Sequence, residues 1–136
     1  MKFNSWDKAK QYKLLRYEPD VVKDYSLPME IDSGVNFFVL MIEQLGYKTL
    51  WSCEGHPTKK RKDEFYMVVK CPYKFARALE SCGYMRVEVL YAKNKFRLSL
   101  SEFSIAEKDD LLRNTANAWE RVLGKLDFSK VDDTIR

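Results

Sequence analysis

Apolar positions change their period several times along this chain, and each change predicts an element. Between Asp32 and Leu45, Val35, Phe37, Phe38, Val39, Leu40, Met41 and Ile42 are apolar almost all round. That pattern predicts a buried helix, capped by Asp32 and ended by Gly46. The period then falls to two. Tyr47, Thr49, Trp51 and Cys53 take one side of an extended segment, and Lys48, Leu50 and Ser52 the other. Gly55 and Pro57 break the strand, TKKRKDE makes a polar loop, and FYMVVK reads as a second strand. Pro72 opens a helix from Tyr73 to Cys82 that Gly83 ends. YMRVEVLY and KFRLSL form a hairpin about Ala92 to Lys95, with Val87, Val89 and Tyr91 on one face and Phe96, Leu98 and Leu100 on another. Ser104 with Glu107 is a capping-box signature. The long helix behind it carries Ile105, Leu112, Ala116, Trp119 and Leu123 as its stripe.

The two ends are less regular. Residues 5 to 17 predict a helix with Ser5 at its N-cap, made basic by Lys8, Lys10, Lys13 and Arg16. Trp6, Tyr12 and Leu14 in that segment must pack somewhere. Pro19 and Pro28 bracket a connector, and the polar tail from Asp127 is expected to fray. The order helix, helix, strand, strand, helix, strand, strand, helix makes the fold class α+β. It predicts a single domain whose antiparallel or mixed sheet of about four strands is covered by helices. Residues 1–30 would be the N-terminal basic helix and connector, 31–126 the α+β core, and 127–136 the tail.

Composition narrows the class. A chain of 136 residues, 46% hydrophobic and 14% aromatic, closes a real core, which excludes a disordered polymer. No apolar run approaches the roughly 18 residues that span a bilayer, and MKFNSWDKAKQYKLLRYEPD has no apolar signal region. The expected location is therefore cytoplasmic, with no membrane partner. Three widely spaced cysteines argue against a disulfide framework. A net charge of +4 permits a polyanionic partner without demanding one.

Candidate chemistry concentrates in TLWSCEGHP, which holds the chain's one histidine. Cys53 and His56 suit half of a zinc site, and Cys71 and Cys82 are the thiols left to complete it. Those two are not a short-spaced knuckle, so the competing reading makes them buried apolar side chains. Cys53 and His56 also form a candidate nucleophile and base, provided a turn at Glu54-Gly55 brings them together; no third, orienting group is visible. The third reading is a ligand-binding loop of Thr49, Trp51, Ser52, Cys53, Glu54, Gly55 and His56. Hydroxyl, carboxylate, imidazole and backbone N–H groups converge there beside an aromatic ring. A plain turn with Glu54 and His56 in water is its alternative. Lys59, Lys60, Arg61 and Lys62 follow directly and are candidate phosphate contacts, against the alternative of a solvated loop partly offset by Asp63 and Glu64.

GYKTLWSCEGH resembles the segment around the Ser-Cys-x-Gly-Arg signature of the wybutosine-synthesis tRNA methyltransferase family. IDSGVNFFVLMIEQLGYKT, FYMVVKCPYKFARALESCG and KFRLSLSEFSIAEKDDLLRNTANAWERVL are similar in pattern to its successive helices and strands. The likeness runs roughly from Ile31 to Leu123. Thr49, Ser52, Cys53 and Gly55 fall on motif positions, Trp51 stands where the family has a small hydroxyl residue, and His56 replaces the arginine. The resemblance implies a related fold, tRNA as a partner and S-adenosylmethionine as a cofactor.

The expected function is a small binding protein. The SCEGH loop and the basic loop would hold a nucleotide, a nucleic acid or an acidic protein surface, as in a phage or mobile-element accessory or inhibitor protein. The alternatives are a reduced S-adenosylmethionine-dependent tRNA methyltransferase relative, and a zinc-stabilised structural domain on Cys53, His56, Cys71 and Cys82.

Overall fold

The computed structural model describes residues 4–17, 28–90 and 92–131, and no side chain of residues 15–17, 28 or 29. The elements are α1 (Ser5–Ala9), β1 (Leu15–Tyr17), β2 (Pro28–Glu30), α2 (Asn36–Gln44), β3 (Lys48–Cys53), β4 (Tyr66–Lys70), α3 (Tyr73–Glu80), β5 (Arg86–Val89), β6 (Lys95–Ser99) and α4 (Ile105–Leu123), with 3-10 turns at Ser33–Val35 and Phe128–Lys130. The result is a single α+β domain with a four-stranded antiparallel sheet in the order β3-β4-β6-β5.

Helix α2 forms the centre. Phe37 to Ile42 are all buried, and Phe38 packs edge-on against Phe37, Phe65 and Trp119. With apolar groups on every side, this helix is stable only inside a core, where each buried large side chain contributes roughly 1.5–3 kcal/mol. Met67 and Val69 of β4, Phe96 and Leu98 of β6, and Leu112, Ala116 and Trp119 of α4 complete the core. Ser104 and Glu107 close the expected capping box at the start of α4. Ile105 departs from the expected stripe and is exposed.

The ends differ more from the pattern. Helix α1 stops at Ala9, not residue 17, and Asn4 caps it in place of Ser5. The cause is tertiary: buried Asn36 donates its Nδ2 to the carbonyls of Ala9 (3.0 Å) and Tyr12 (2.7 Å), which fixes the turn. Residues 15–17 then pair with 28–30 as a small antiparallel ribbon, while Pro19 and most of the connector lie outside the described residues. Trp6 is clamped between the Lys10 ammonium and the Arg113 guanidinium and buries itself against α4. The start of the tail is ordered: Asp127 caps Ser129, and Phe128 stacks on Tyr12 at 5.9 Å. Residues 132–136 lie outside the described residues.

Strand β3 carries the irregularity that matters most. Thr49 pairs with Val69, yet Trp51 pairs with Val68, so Leu50 is an extra residue in a bulge. A one-residue insertion reverses the facing of everything beyond it. The expected set Tyr47, Thr49, Trp51 and Cys53 is therefore split. Thr49 lies on the helix-covered face opposite buried Val69, while Trp51 and Cys53 lie on the opposite, open face.

Candidate functional site at the end of β3

Three successive backbone amides organise the chain as it leaves β3. The Glu54 N–H donates to Asp32 Oδ2 at 3.2 Å, the Gly55 N–H to Cys53 Sγ at 3.5 Å, and the His56 N–H to Asp63 Oδ2 at 2.8 Å. Asp32 therefore does not cap its own turn, as the pattern predicts; its carboxylate reaches across to the loop. His56 Nε2 lies 3.2 Å from Asp32 Oδ2, with its ring well exposed. Asp32, Cys53 and His56 place one ligand-type atom each within 4.8 Å of one another.

Glu54 and Gly55 look inward. Glu54 Oε2 accepts from the Gly34 N–H at 2.7 Å, and its Oε1 lies 3.2 Å from Lys108 Nζ on α4. The same ammonium donates to the Gly55 carbonyl at 2.6 Å. Two glycines permit this docking. A Cβ on Gly34 would fall 2.2 Å from Glu54 Oε2, and one on Gly55 would fall 2.8 Å from the Phe103 ring. Gly55 also holds φ +86°, which side-chain-bearing residues rarely adopt. Of the expected ligand-binding residues, these two are thus fastened to the frame. Thr49 turns its hydroxyl into the covered face, where Oγ1 is buried without a hydrogen-bond partner among the described residues. Ser52 pairs with buried Met67 and points the same way. Trp51, Cys53 and His56 face outward, Trp51 with half its surface exposed.

The thiol is not activated. Burial pushes the Cys53 pKa up, the Gly55 N–H opposes this, and the negative charges of Asp32, Asp63 and Glu54 add to the rise. A cysteine nucleophile needs the reverse shift. The expected four-residue zinc set is not assembled either. Cys53 pairs with Tyr66, whereas Cys71 lies past the far end of β4, roughly 17 Å away at about 3.4 Å per residue. Burial drives the Cys71 thiol to about 11. Cys82 sits between two helices, its sulfur 3.8 Å from the Ala78 carbonyl and 3.9 Å from that of Ala118.

The basic loop is closed at base and tip. Asp63 accepts from the His56 and Glu64 amides, which holds its carboxyl below the usual range, and its backbone pairs with Phe103. Thr58 and Arg61 exchange backbone hydrogen bonds, and Thr58 Oγ1 accepts from the amides of Lys60 and Arg61. Lys59, Lys60, Arg61 and Lys62 are all exposed on this frame.

The sequence pattern did not reveal the open face itself. Cross-strand register puts Cys53, Tyr66, Ser99 and Arg86 in one row, Trp51, Val68, Arg97 and Glu88 in the next, and Lys48, Lys70 and Lys95 in a third. Apart from buried Ser99, these side chains are exposed or half-buried. Arg97 ion-pairs with Glu64 and Glu88 and lies over the Tyr66 ring at 5.1 Å. Register was the missing signal: once the bulge is known, two aromatics and five cations share one surface. No helix among the described residues is long and apolar enough to cross a membrane. No protein-family model matches the chain, and no curated protein or solved structure is significantly similar to it.

Proposed function

We propose that this protein binds single-stranded nucleic acid across the open face of its sheet, with the basic loop extending that surface. The observation that carries this reading is the bulge in β3. It turns Trp51, half exposed, onto a face shared with Tyr66, Lys48, Lys70, Lys95, Arg86 and Arg97. Aromatic rings offer every base a stacking partner, and the cations around them neutralise phosphates. Duplex bases are already stacked and have no free face for Trp51, so single strands are favoured. Arg97 has its own task, holding Tyr66 through the cation–π contact while Glu64 and Glu88 fix the guanidinium. Lys59 to Lys62 supply a second, exposed set of charges on a braced loop.

The three tryptophans make the test direct. Trp6 and Trp119 are buried, so quenching of intrinsic fluorescence by an oligonucleotide reports on Trp51. Mixed-sequence single-stranded RNA and DNA should quench it and bind with an affinity that falls with salt, with a logarithmic slope of about 0.7 per phosphate contacted. Trp51→Ala should cost about 1–3 kcal/mol of binding, roughly a 5- to 150-fold loss. Replacing Lys59 and Lys60 by alanine should lower the salt slope while leaving the quench in place. Absence of quenching at low salt, or equal binding by Trp51→Ala, overturns the proposal. Equal binding of polyglutamate without quenching does so too, since the surface would then recognise acidic protein instead.

A further inference from the structure

We propose that Asp32, Cys53 and His56 form a three-ligand site for zinc(II) or a similar borderline divalent ion, at the corner where the open face meets the basic loop. This site stands independently of nucleic-acid binding: Cys53 shares a cross-strand row with Tyr66, but neither the stacking ring of Trp51 nor any of the cations is among its ligands. Its donors are one oxygen, one sulfur and one nitrogen within 4.8 Å of one another. That mixture suits zinc and excludes magnesium and calcium, which take oxygen ligands. The spacing is close to what an ion requires. Two ligands about 2.0 Å from a tetrahedral ion lie about 3.3 Å apart, and Asp32 Oδ2 and His56 Nε2 are separated by 3.2 Å. A sulfur ligand needs about 3.5 Å from the other two donors, so from a separation of at most 4.8 Å Cys53 has to draw in by no more than about 1.3 Å.

Backbone amides orient two of the three donors. The Glu54 amide fixes Asp32 Oδ2, and the Gly55 amide points at the Cys53 sulfur, where it would stabilise a thiolate. Asp63 holds the His56 backbone. Glu54, bound to Lys108 and Gly34, anchors the whole turn to α4 and to the 3-10 turn after Asp32. Three protein ligands with an exposed imidazole leave a coordination position open toward solvent, the pattern of exchangeable sites, whereas structural zinc is closed by four. Water or a phosphate oxygen would take that position. The set differs from the Cys53, His56, Cys71 and Cys82 combination, whose last two members lie elsewhere in the fold.

The test is cobalt(II) titration of chelator-treated full-length protein. The site should take up one ion with sulfur-to-cobalt charge-transfer absorption and the visible bands of four-coordinate cobalt. Zinc should displace it and magnesium should not. Cys53→Ser should abolish the charge-transfer band, and Asp32→Asn and His56→Ala should each weaken binding about ten-fold or more. Cys71→Ser and Cys82→Ser should keep both band and affinity. On the unaltered protein, zinc should slow alkylation of Cys53 and leave Cys82 unchanged, which needs no variant to fold. The proposal is overturned if no sulfur band develops or the band survives in Cys53→Ser. Unchanged affinity in Asp32→Asn, or alkylation of Cys53 indifferent to zinc, overturns it equally.

Discussion

The two faces of the four-stranded sheet use the same strands under different constraints. On the covered face Met67, Val69, Phe96 and Leu98 belong to one buried cluster with residues of α2 and α4, where their requirement is to fill space away from water. On the open face Trp51, Tyr66 and Val68 alternate with Lys48, Lys70, Arg86, Lys95 and Arg97. Nothing in folding places a tryptophan with half its surface in water, since burial of a large apolar side chain is worth roughly 1.5–3 kcal/mol. Packing accounts for the four side chains of the covered face. The open face exposes aromatic and cationic groups, and it is there, and at its Cys53 corner, that we propose binding.

The sharpest way to separate the two faces is to remove one ring from each and measure unfolding in urea. Phe38→Ala takes away a fully buried ring that meets Phe37, Phe65 and Trp119. The cavity should cost about 3–5 kcal/mol, a large part of the stability of a domain this size. A loss below about 1 kcal/mol would mean that α2 is not the centre of the core.

That contrast also separates what was legible in the chain from what was not. The run from Val35 to Ile42 has no polar side, so burial of α2 followed from composition alone. The capping box at Ser104 and Glu107 is local chemistry and formed as its spacing predicts. Facing in β3 was illegible because period-two reasoning assumes an unbroken ladder, and the extra residue at Leu50 is not marked by glycine or proline. Asp32 was misassigned for a related reason. A helix-capping position and a long-range ligand position look the same in one dimension, and only the loop at Glu54 and His56 decides between them. The early end of α1 depends likewise on Asn36, a contact spanning 27 positions.

Between the faces stands the Glu54 anchor, and breaking it should give an intermediate effect. Glu54 and Lys108 are both mostly buried, so Glu54→Gln leaves the ammonium short of a charged partner and weakens the bond to Gly34. A loss of about 1–3 kcal/mol is expected, measured in urea. Lys108→Met should cost a similar amount, and the double variant less than the sum, because both remove one interaction. Full additivity would show that the two side chains act separately.

A smaller, pH-dependent effect belongs to the covered side. Burial raises the Cys71 thiol from near 9 to about 11. The unfolded chain therefore loses this proton first as pH rises, and the folded protein keeps it longer. Stability from this group is complete below pH 9, falls between 9 and 11, and is level above that. The loss should be on the order of 2 kcal/mol. Cys71→Ala should flatten that part of the alkaline unfolding curve relative to the unaltered protein. An unchanged slope would place the alkaline loss on other groups.

The smallest expected change is the most informative. Trp51→Ala should shift unfolding free energy by no more than about 0.5 kcal/mol, although tryptophan is the largest side chain in the chain. The reason is geometric: its ring lies on the open face opposite half-buried Val68 with half its surface exposed, so removal leaves no cavity. Thr49→Ala, two residues back on the covered face, tests the same bulge from the other side. Its Oγ1 is buried without a partner among the described residues, so losing the hydroxyl should be neutral or slightly stabilising. If Trp51→Ala instead cost as much as a core ring, the tryptophan would be holding the sheet together, and its half-exposed face could no longer be assigned to a ligand. A silent substitution in urea, together with weaker binding of single strands read from a dye-labelled oligonucleotide, would show a side chain kept for what it binds.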